Sequence, residues 1–359
     1  VSGPDPFELL RQLVAIPSPS GTEARLAAFV LAWARSHGLD AEPVGRNVVV
    51  RAGRRGGPRL LYNSHLDTVA PVADWPHDPF TPRVDGDRLS GLGANDAKGC
   101  VAAMLCAVVA LSRRPVGGEV VLALTVDEEV GGGEGLQAIV HDLEPFAAAV
   151  IGEPTGLDLC CAQKGLLILE VETSGVARHA AHAHRLPGAN AVVEAAHAIA
   201  RLEGLTPGPS DPLLGPTTCH VTTISGGSRR NVIPDRCVFT LDVRTVTADA
   251  TEEVVAVVHR VSGGEVRVLS DRLKPVSTDP SAAIVQAALR VRPEAKVVGS
   301  ATLSDAVWTR HRPTVKVGPG QSERSHTAGE YVTREELEAG VAFFRRLAAE
   351  LFKAGPGGE

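Results

Sequence analysis

Again and again in this chain of 359 residues, a strand-like apolar run stops at a side chain that can hold a metal ion. Arg59–Asn63 leads into His65, Glu119–Val126 into Glu128 and Glu129, Ala147–Ile151 into Glu153, and Thr314–Val317 into a turn-rich loop ending at His326. Asp96 sits in a glycine-rich turn that opens the helical stretch Lys98–Arg113. Ligands drawn from several strand ends at one sheet edge are where α/β folds place active sites. Two histidines with several carboxylates suit a borderline cation such as zinc, and a further adjacent carboxylate supplies the base that a hydrolytic metal site needs.

The order of elements supports an α/β architecture. Asp5 is placed to cap a first helix through about Val14, a second helix runs over Thr22–His37, and Asn47–Arg51 reads as a strand beside Arg59–Asn63. Strands alternating with helices imply a parallel or mixed sheet covered by helices. The texture changes near Gly165: strand Leu166–Thr173, helix Ala189–Leu202, a Pro/Gly-rich loop Thr206–Pro216, strands Thr217–Ser225 and Arg236–Thr245, helix Asp249–Val261 and strand Glu265–Leu269. That β-α-β-β-α-β order is the split βαβ arrangement of a ferredoxin-like domain. Helix Pro280–Val291, strands Lys296–Gly299 and Thr314–Val317 and helix Thr333–Leu351 then restore the first texture. The expected organisation is a large domain of residues 1–165 and 274–359 interrupted by a small one of 166–273, with a disordered Gly/Pro tail at 355–359.

Composition removes several function classes. A net charge of -6 and a pI near 6.1, without basic blocks, argue against a nucleic-acid partner. No apolar run reaches membrane-spanning length and no secretory leader pattern is present, so no membrane partner is expected. The six cysteines form no CxxC pair and lie mostly in apolar runs, which makes a cytoplasmic location the default.

Taken singly, each candidate has a plainer explanation. His65 and Asp67 fall on one side of an extended chain, so one could bind metal while the other orients it, yet an HxD triplet at a strand end is common. Asp96 is well placed merely to cap a helix, or to bridge two cations with its two oxygens. Glu128 and Glu129 repel unless a metal neutralises one and the other shares a proton with bound water; otherwise they are a solvated acidic loop.

Together, His65-Leu66-Asp67-Thr68-Val69, Asn95-Asp96-Ala97-Lys98-Gly99, Asp127-Glu128-Glu129 and Gly152-Glu153-Pro154 resemble the successive signatures of the co-catalytic zinc amidohydrolases, a family that includes acetylornithine deacetylase, succinyl-diaminopimelate desuccinylase, aminoacylases and glutamate carboxypeptidases. The resemblance covers essentially the whole chain. It implies a zinc-exopeptidase-like catalytic domain with a mixed central sheet, interrupted by a ferredoxin-like dimerisation or lid domain. It implies two zinc ions per chain, replaceable by cobalt: His65, Asp96 and Glu153 would hold one, Asp96, Glu129 and His326 the other, with Asp96 bridging. Asp67 would orient His65, and Glu128 would be the general base. In Gly175-Val176-Ala177-Arg178-His179 the family's oxyanion-stabilising histidine, contributed across a homodimer, falls on His179, with His182 as the alternate. Asn231, Arg244 and Ser304 resemble the family's substrate contacts.

The Gly318-Pro319-Gly320-Gln321-Ser322 to His326-Thr327 arrangement most resembles the branch that releases lysine or ornithine from an acyl group or from an amino-group carrier protein, in lysine or arginine biosynthesis. Ala328-Gly329 departs from the Pro-acidic pair usual after His-Thr. The resemblance thus implies a deacylase acting on the blocked α-amino group of lysine or ornithine, with a small blocked amino acid or a carrier protein as substrate. A dipeptidase or carboxypeptidase, or a desuccinylase, is the alternative; a non-catalytic binding protein would have no use for Glu128 beside a full ligand set.

Overall fold

The computed structural model describes residues 3–114 and 116–353; the expected Gly/Pro tail at 355–359 lies outside the described residues. The chain divides into two compact units, one of residues 1–161, 277–298 and 304–359 and one of 162–276 and 299–303.

The first unit is built on a mixed sheet whose strands run in the order Asp40–Val44, Asn47–Gly53, Glu119–Thr125, Arg59–His65, Ala148–Ile151, Thr314–Lys316, Leu159–Gln163 and Val276–Ser277, with Val297–Ser300 also paired to Leu159–Gln163. The four central strands, from Glu119–Thr125 to Thr314–Lys316, are mutually parallel. Their C-terminal ends therefore point to one edge. The run Glu119–Thr125 is buried at every position, as strands covered on both faces require. Helix Lys98–Arg113 packs on the sheet, and helices Pro6–Val14 and Arg334–Lys353 pack on that helix and on each other.

Local chemistry explains where these elements begin. Asp5 accepts the Phe7 N–H at 2.9 Å and caps the first helix as the sequence led us to expect. The second helix starts at Ala24, two residues later than expected, because the buried Glu23 carboxylate accepts the Gly21 and Asp127 N–H groups instead of capping. Lys98, at the head of a largely buried helix, is itself fully buried; its Nζ donates to the Leu13 and Ile16 carbonyls, and burial pulls its pKa down to about 7. Tyr62 Oη donates to the Phe344 carbonyl at 2.6 Å, joining a central strand to the closing helix, a bond worth about 1 kcal/mol. Thus segments far apart in sequence share one core.

The sequence reading overlooked two short features. Asp40–Val44 forms an edge strand, and the hairpin Arg83–Asp85 with Arg88–Ser90 pairs with Tyr331–Thr333. Both are too short and too polar to carry a clear period-two signal.

The second unit contains a four-stranded antiparallel sheet in the order Thr218–Gly226, Arg236–Thr245, Gly165–Ser174 and Glu265–Leu273. Alternate residues of Gly165–Ser174 and Arg236–Thr245 are buried under helices Ala191–Leu202 and Thr251–Ser262, which complete a separate core. The β-α-β-β-α-β order and this strand arrangement are ferredoxin-like. Among the described residues no helix is long and apolar enough to cross a membrane.

Candidate metal centre

Each central parallel strand of the first unit delivers one part of an acidic cluster. His65 is the last residue of its strand; Glu128 and Glu129 follow Glu119–Thr125 in a short 3-10 turn; Glu153 follows Ala148–Ile151; His326 closes the loop after Thr314–Lys316. Asp96 comes from the turn before helix Lys98–Arg113, where the Asp96-Ala97 peptide is cis. Asp127 and His326 both adopt positive φ, 68° and 59°, left-handed turns at the entry to the Glu128-Glu129 turn and at the end of the last loop.

The donor atoms form overlapping triads. His65, Asp96 and Glu153 make one and Asp96, Glu129 and His326 another, with all ligand atoms of each within 4.8 Å of one another; Asp96 belongs to both. His65 Nε2 lies 3.3 Å from Asp96 and 3.9 Å from Glu153, while His326 Nε2 lies 3.1 Å from Glu129 and 3.5 Å from Asp96. Ligands about 2.0–2.1 Å from a tetrahedral zinc ion stand roughly 3.3–3.4 Å apart, so the spacing suits such an ion. His65 Nδ1 donates to the Asp67 carbonyl at 3.0 Å, which leaves the Nε2 lone pair facing the carboxylates. A third triad, His65, Glu128 and Glu129, also falls within range.

Asp67 does more than face the imidazole. Its carboxylate, 3.5 Å from His65 Nδ1, accepts the Glu128 N–H at 3.2 Å, the Glu129 N–H at 3.1 Å and the Ser20 hydroxyl at 2.8 Å. It thereby fixes the turn that presents both glutamates. Burial works against its ionisation, but His65, Ser20 and the Glu129 N–H outweigh it and hold the pKa below the ordinary aspartate value.

Three supports went unread in the sequence. Glu330 is buried and accepts the N–H groups of Asn95 and Asp96, both at 2.8 Å, so it sets the backbone of the shared ligand. Asn95 donates to the Gln321 carbonyl and Ser325 hydroxyl and accepts the Gln321 N–H, tying that turn to the loop that carries His326. Gly320 makes this approach possible: its φ is +88°, and a Cβ there would stand 2.3 Å from Asn95 Oδ1. Asp305, buried, accepts the Thr125 hydroxyl at 3.0 Å beneath the cluster. Nothing in the local sequence pattern marks Glu330, whereas Asn95 and Asp305 adjoin residues that the motifs had singled out.

The electrostatics are those of a site rich in negative charge. Burial, reinforced by Glu153, Asp305 and Glu129, pushes Glu128 well above the usual carboxylate range. Burial and the neighbouring Asp96 raise Glu153 to about 8, and burial raises Asp305 to about 7. Glu129 raises His326 to about 9. For His65, burial disfavours the cation, but Asp67, Asp96, Glu128 and Glu153 together hold its pKa well above the ordinary value. Protons and cations compete for the same lone pairs here.

The other expected site residues lie elsewhere. In the second unit, His179 pairs across a short ladder with Val232, and the Asn231 carbonyl accepts the Ala180 N–H, so His179 and Asn231 are neighbours. His179 Nδ1 accepts the Ala181 N–H at 3.1 Å, which leaves the proton of the neutral ring on Nε2 as an exposed donor. The His182 ring stands 5.5 Å away. Arg244, expected to meet a substrate carboxylate, is held in a fork by Asp242, at 2.7 and 3.0 Å. Ser304, in the first unit, is only 3% exposed and accepts the Ala306 N–H, which makes it a turn-former, not a side chain open to substrate.

Comparison with known proteins agrees with this geometry. The model of peptidase family M20/M25/M40 matches residues 61–350. A succinyl-diaminopimelate desuccinylase of Dinoroseobacter shibae is 32% identical, over 72% of this chain and 72% of its own. A probable carboxypeptidase of Aspergillus terreus is 33% identical over 73% of this chain and 66% of its own. Among solved structures, the aminopeptidase PepT of Bacillus cereus superposes with a TM-score of 0.80 at 21% identity, over 97% of this chain and 98% of that one, a likeness of fold.

Burial and Asp96 raise Glu153 to about 8 and Glu129 raises His326 to about 9, so a cation must displace protons from both below those values and fewer above them. Apparent affinity for Zn2+ or Co2+, read by competition with a chromogenic chelator, should rise about tenfold per pH unit for each displaced proton between pH 6 and 8 and flatten above about 9. Affinity independent of pH over that range would contradict the competition.

Proposed function

The chain belongs to peptidase family M20/M25/M40 and is a hydrolase of amide bonds, and from that premise we propose that it is a two-zinc deacylase that frees the α-amino group of a blocked lysine or ornithine. What carries the two-metal reading is a single arrangement: two ligand triads that share only Asp96, with Glu128, within the same range of His65 and Glu129, left over as the base. His65, Asp96 and Glu153 would hold one ion and Asp96, Glu129 and His326 the other.

Bound divalent cations would polarise the scissile carbonyl and acidify the attacking water. Glu128 accepts that water's proton and passes it to the departing amine nitrogen. Burial among other carboxylates pushes its pKa up, which makes its carboxylate a stronger acceptor for that proton. Asp67 keeps the base in place through the Glu128 and Glu129 N–H groups. His179, its Nε2 proton outward, would donate to the oxyanion of a neighbouring subunit in a homodimer, with Asn231 beside it and Arg244 meeting the substrate carboxylate.

The relative named a succinyl-diaminopimelate desuccinylase supports an acylated diamino acid as the substrate class. The relative named a probable carboxypeptidase favours a second reading, cleavage of a short peptide at its C-terminal end. In either case the six free, buried cysteines suit a reducing, cytoplasmic setting.

A metal-reconstituted preparation should be tested on acetyl-lysine, acetylornithine, succinyl-diaminopimelate, carrier-protein γ-glutamyl-lysine and a simple dipeptide. Turnover of a lysine or ornithine derivative is expected, and Glu128→Gln should lower it about 10²–10⁴-fold while metal content stays near wild type. Turnover of the dipeptide alone would move the reading to a peptidase, and loss of metal from Glu128→Gln would make Glu128 a ligand. For the histidine, mixing inactive Glu128→Gln with inactive His179→Ala subunits should restore activity, since one site of the heterodimer keeps both groups. No recovery despite demonstrated subunit exchange would place the histidine's action within its own chain or on His182.

A further inference from the structure

At the end of helix Lys98–Arg113 remote from Asp96, the first unit carries a groove of about 620 Å³ lined by Gly3, Ala110, Leu111, Val116 and Ala349 and by four arginines, Arg113, Arg114, Arg345 and Arg346. A 16-residue helix spans roughly 24 Å, which separates this groove from the metal centre. All four arginines are exposed, and among the described residues no carboxylate lines the groove.

About half of the arginines elsewhere in the chain find a carboxylate. Arg11 pairs with Glu8, Arg59 with Glu119, Arg236 with Glu172 and Arg324 with Glu336. Among the described residues no carboxylate stands within ion-pair distance of the four in the groove. Helix spacing explains this. The residues three and four positions from Arg345 are Val341, Ala342, Ala348 and Ala349, and those preceding Arg113 are Val109 and Ala110. Arg346 has Glu350 four residues on, but that carboxylate is taken by Arg290 at 2.8 Å and Lys353 at 3.2 Å. Helices Lys98–Arg113 and Arg334–Lys353 pack together, so two arginine pairs from rigid elements are brought to one place.

Four like charges gathered without a counter-charge repel one another, and a ligand that neutralises them recovers that cost. Guanidinium groups bind phosphate oxygens in forked pairs, and several together favour a ligand with several phosphates. The volume suits a small molecule, and the apolar floor of Ala110, Leu111, Val116 and Ala349 can take a sugar or base.

We propose that this groove is a binding site for a small oligophosphate of the nucleotide or inorganic polyphosphate class, separate from the metal centre. Titration of the metal-loaded protein with inorganic triphosphate, with ATP and with adenosine, followed by calorimetry, tests it. Triphosphate and ATP should bind with affinity that falls as salt is raised, and adenosine alone should not bind. ATP much tighter than triphosphate would assign the site to nucleotides, and equal affinities to inorganic polyphosphate. Arg113→Gln/Arg114→Gln and Arg345→Gln/Arg346→Gln, exposed changes that should leave circular dichroism and thermal unfolding as in wild type, should each weaken triphosphate at least about tenfold. Asp96→Ala, which lies at the other end of the helix, should leave that affinity unchanged. Binding abolished by Asp96→Ala and untouched by the arginine pairs would place the anion on the metal ions and overturn the proposal; so would the absence of saturable binding.

Discussion

The arrangement of the first unit turns on crowded negative charge. Asp67, Asp96, Glu128, Glu129, Glu153 and Asp305 approach two imidazoles, the buried His65 and the half-exposed His326, and the crowding raises proton affinity: Glu128, Glu153 and Asp305 are pushed up, and both histidines stand above their ordinary value. Such a cluster is costly to bury unless cations or protons neutralise it. Parallel strands make the crowding unavoidable, because their C-terminal ends open on one edge and each ends in a ligand. The fold and the chemistry are therefore two views of one constraint.

What keeps the crowding ordered is a set of backbone contacts. Asp67 grips the turn of the two glutamates, Glu330 grips the turn of Asp96, and Asn95 carries that grip to the loop of His326. Each of these groups accepts or donates hydrogen bonds that fix the main chain at a candidate ligand and leave that side chain facing the cluster. A site held in this way is pre-organised, and rigid placement of both ligands and base is what a hydrolytic centre requires.

Much of this was readable in the sequence for a physical reason. The ligand positions follow long apolar runs, which announce strands, and His65, Asp96, Glu128, Glu129, Glu153 and His326 converge as those runs implied. The ferredoxin-like unit was equally legible, since its strands alternate buried and exposed positions and its helices have clear apolar faces. Glu330 and Asp305 were not. A lone carboxylate in a loop gives no periodic signal, and its importance comes from which N–H or hydroxyl the fold brings to it. Ser304, singled out by a motif position, is buried and its hydroxyl accepts the Ala306 N–H, a local engagement the sequence pattern does not announce. The short pairings of Asp40–Val44 and Arg83–Asp85 escaped because edge strands of few residues carry little pattern.

The central claim is that Asp96 joins two cation positions into one centre. Metal content by elemental analysis, after reconstitution with zinc and removal of loosely held ions, addresses it directly. The account predicts two ions per wild-type chain and loss of both in Asp96→Ala, because neither triad keeps three ligands without the shared carboxylate. Two ions retained by Asp96→Ala would contradict it.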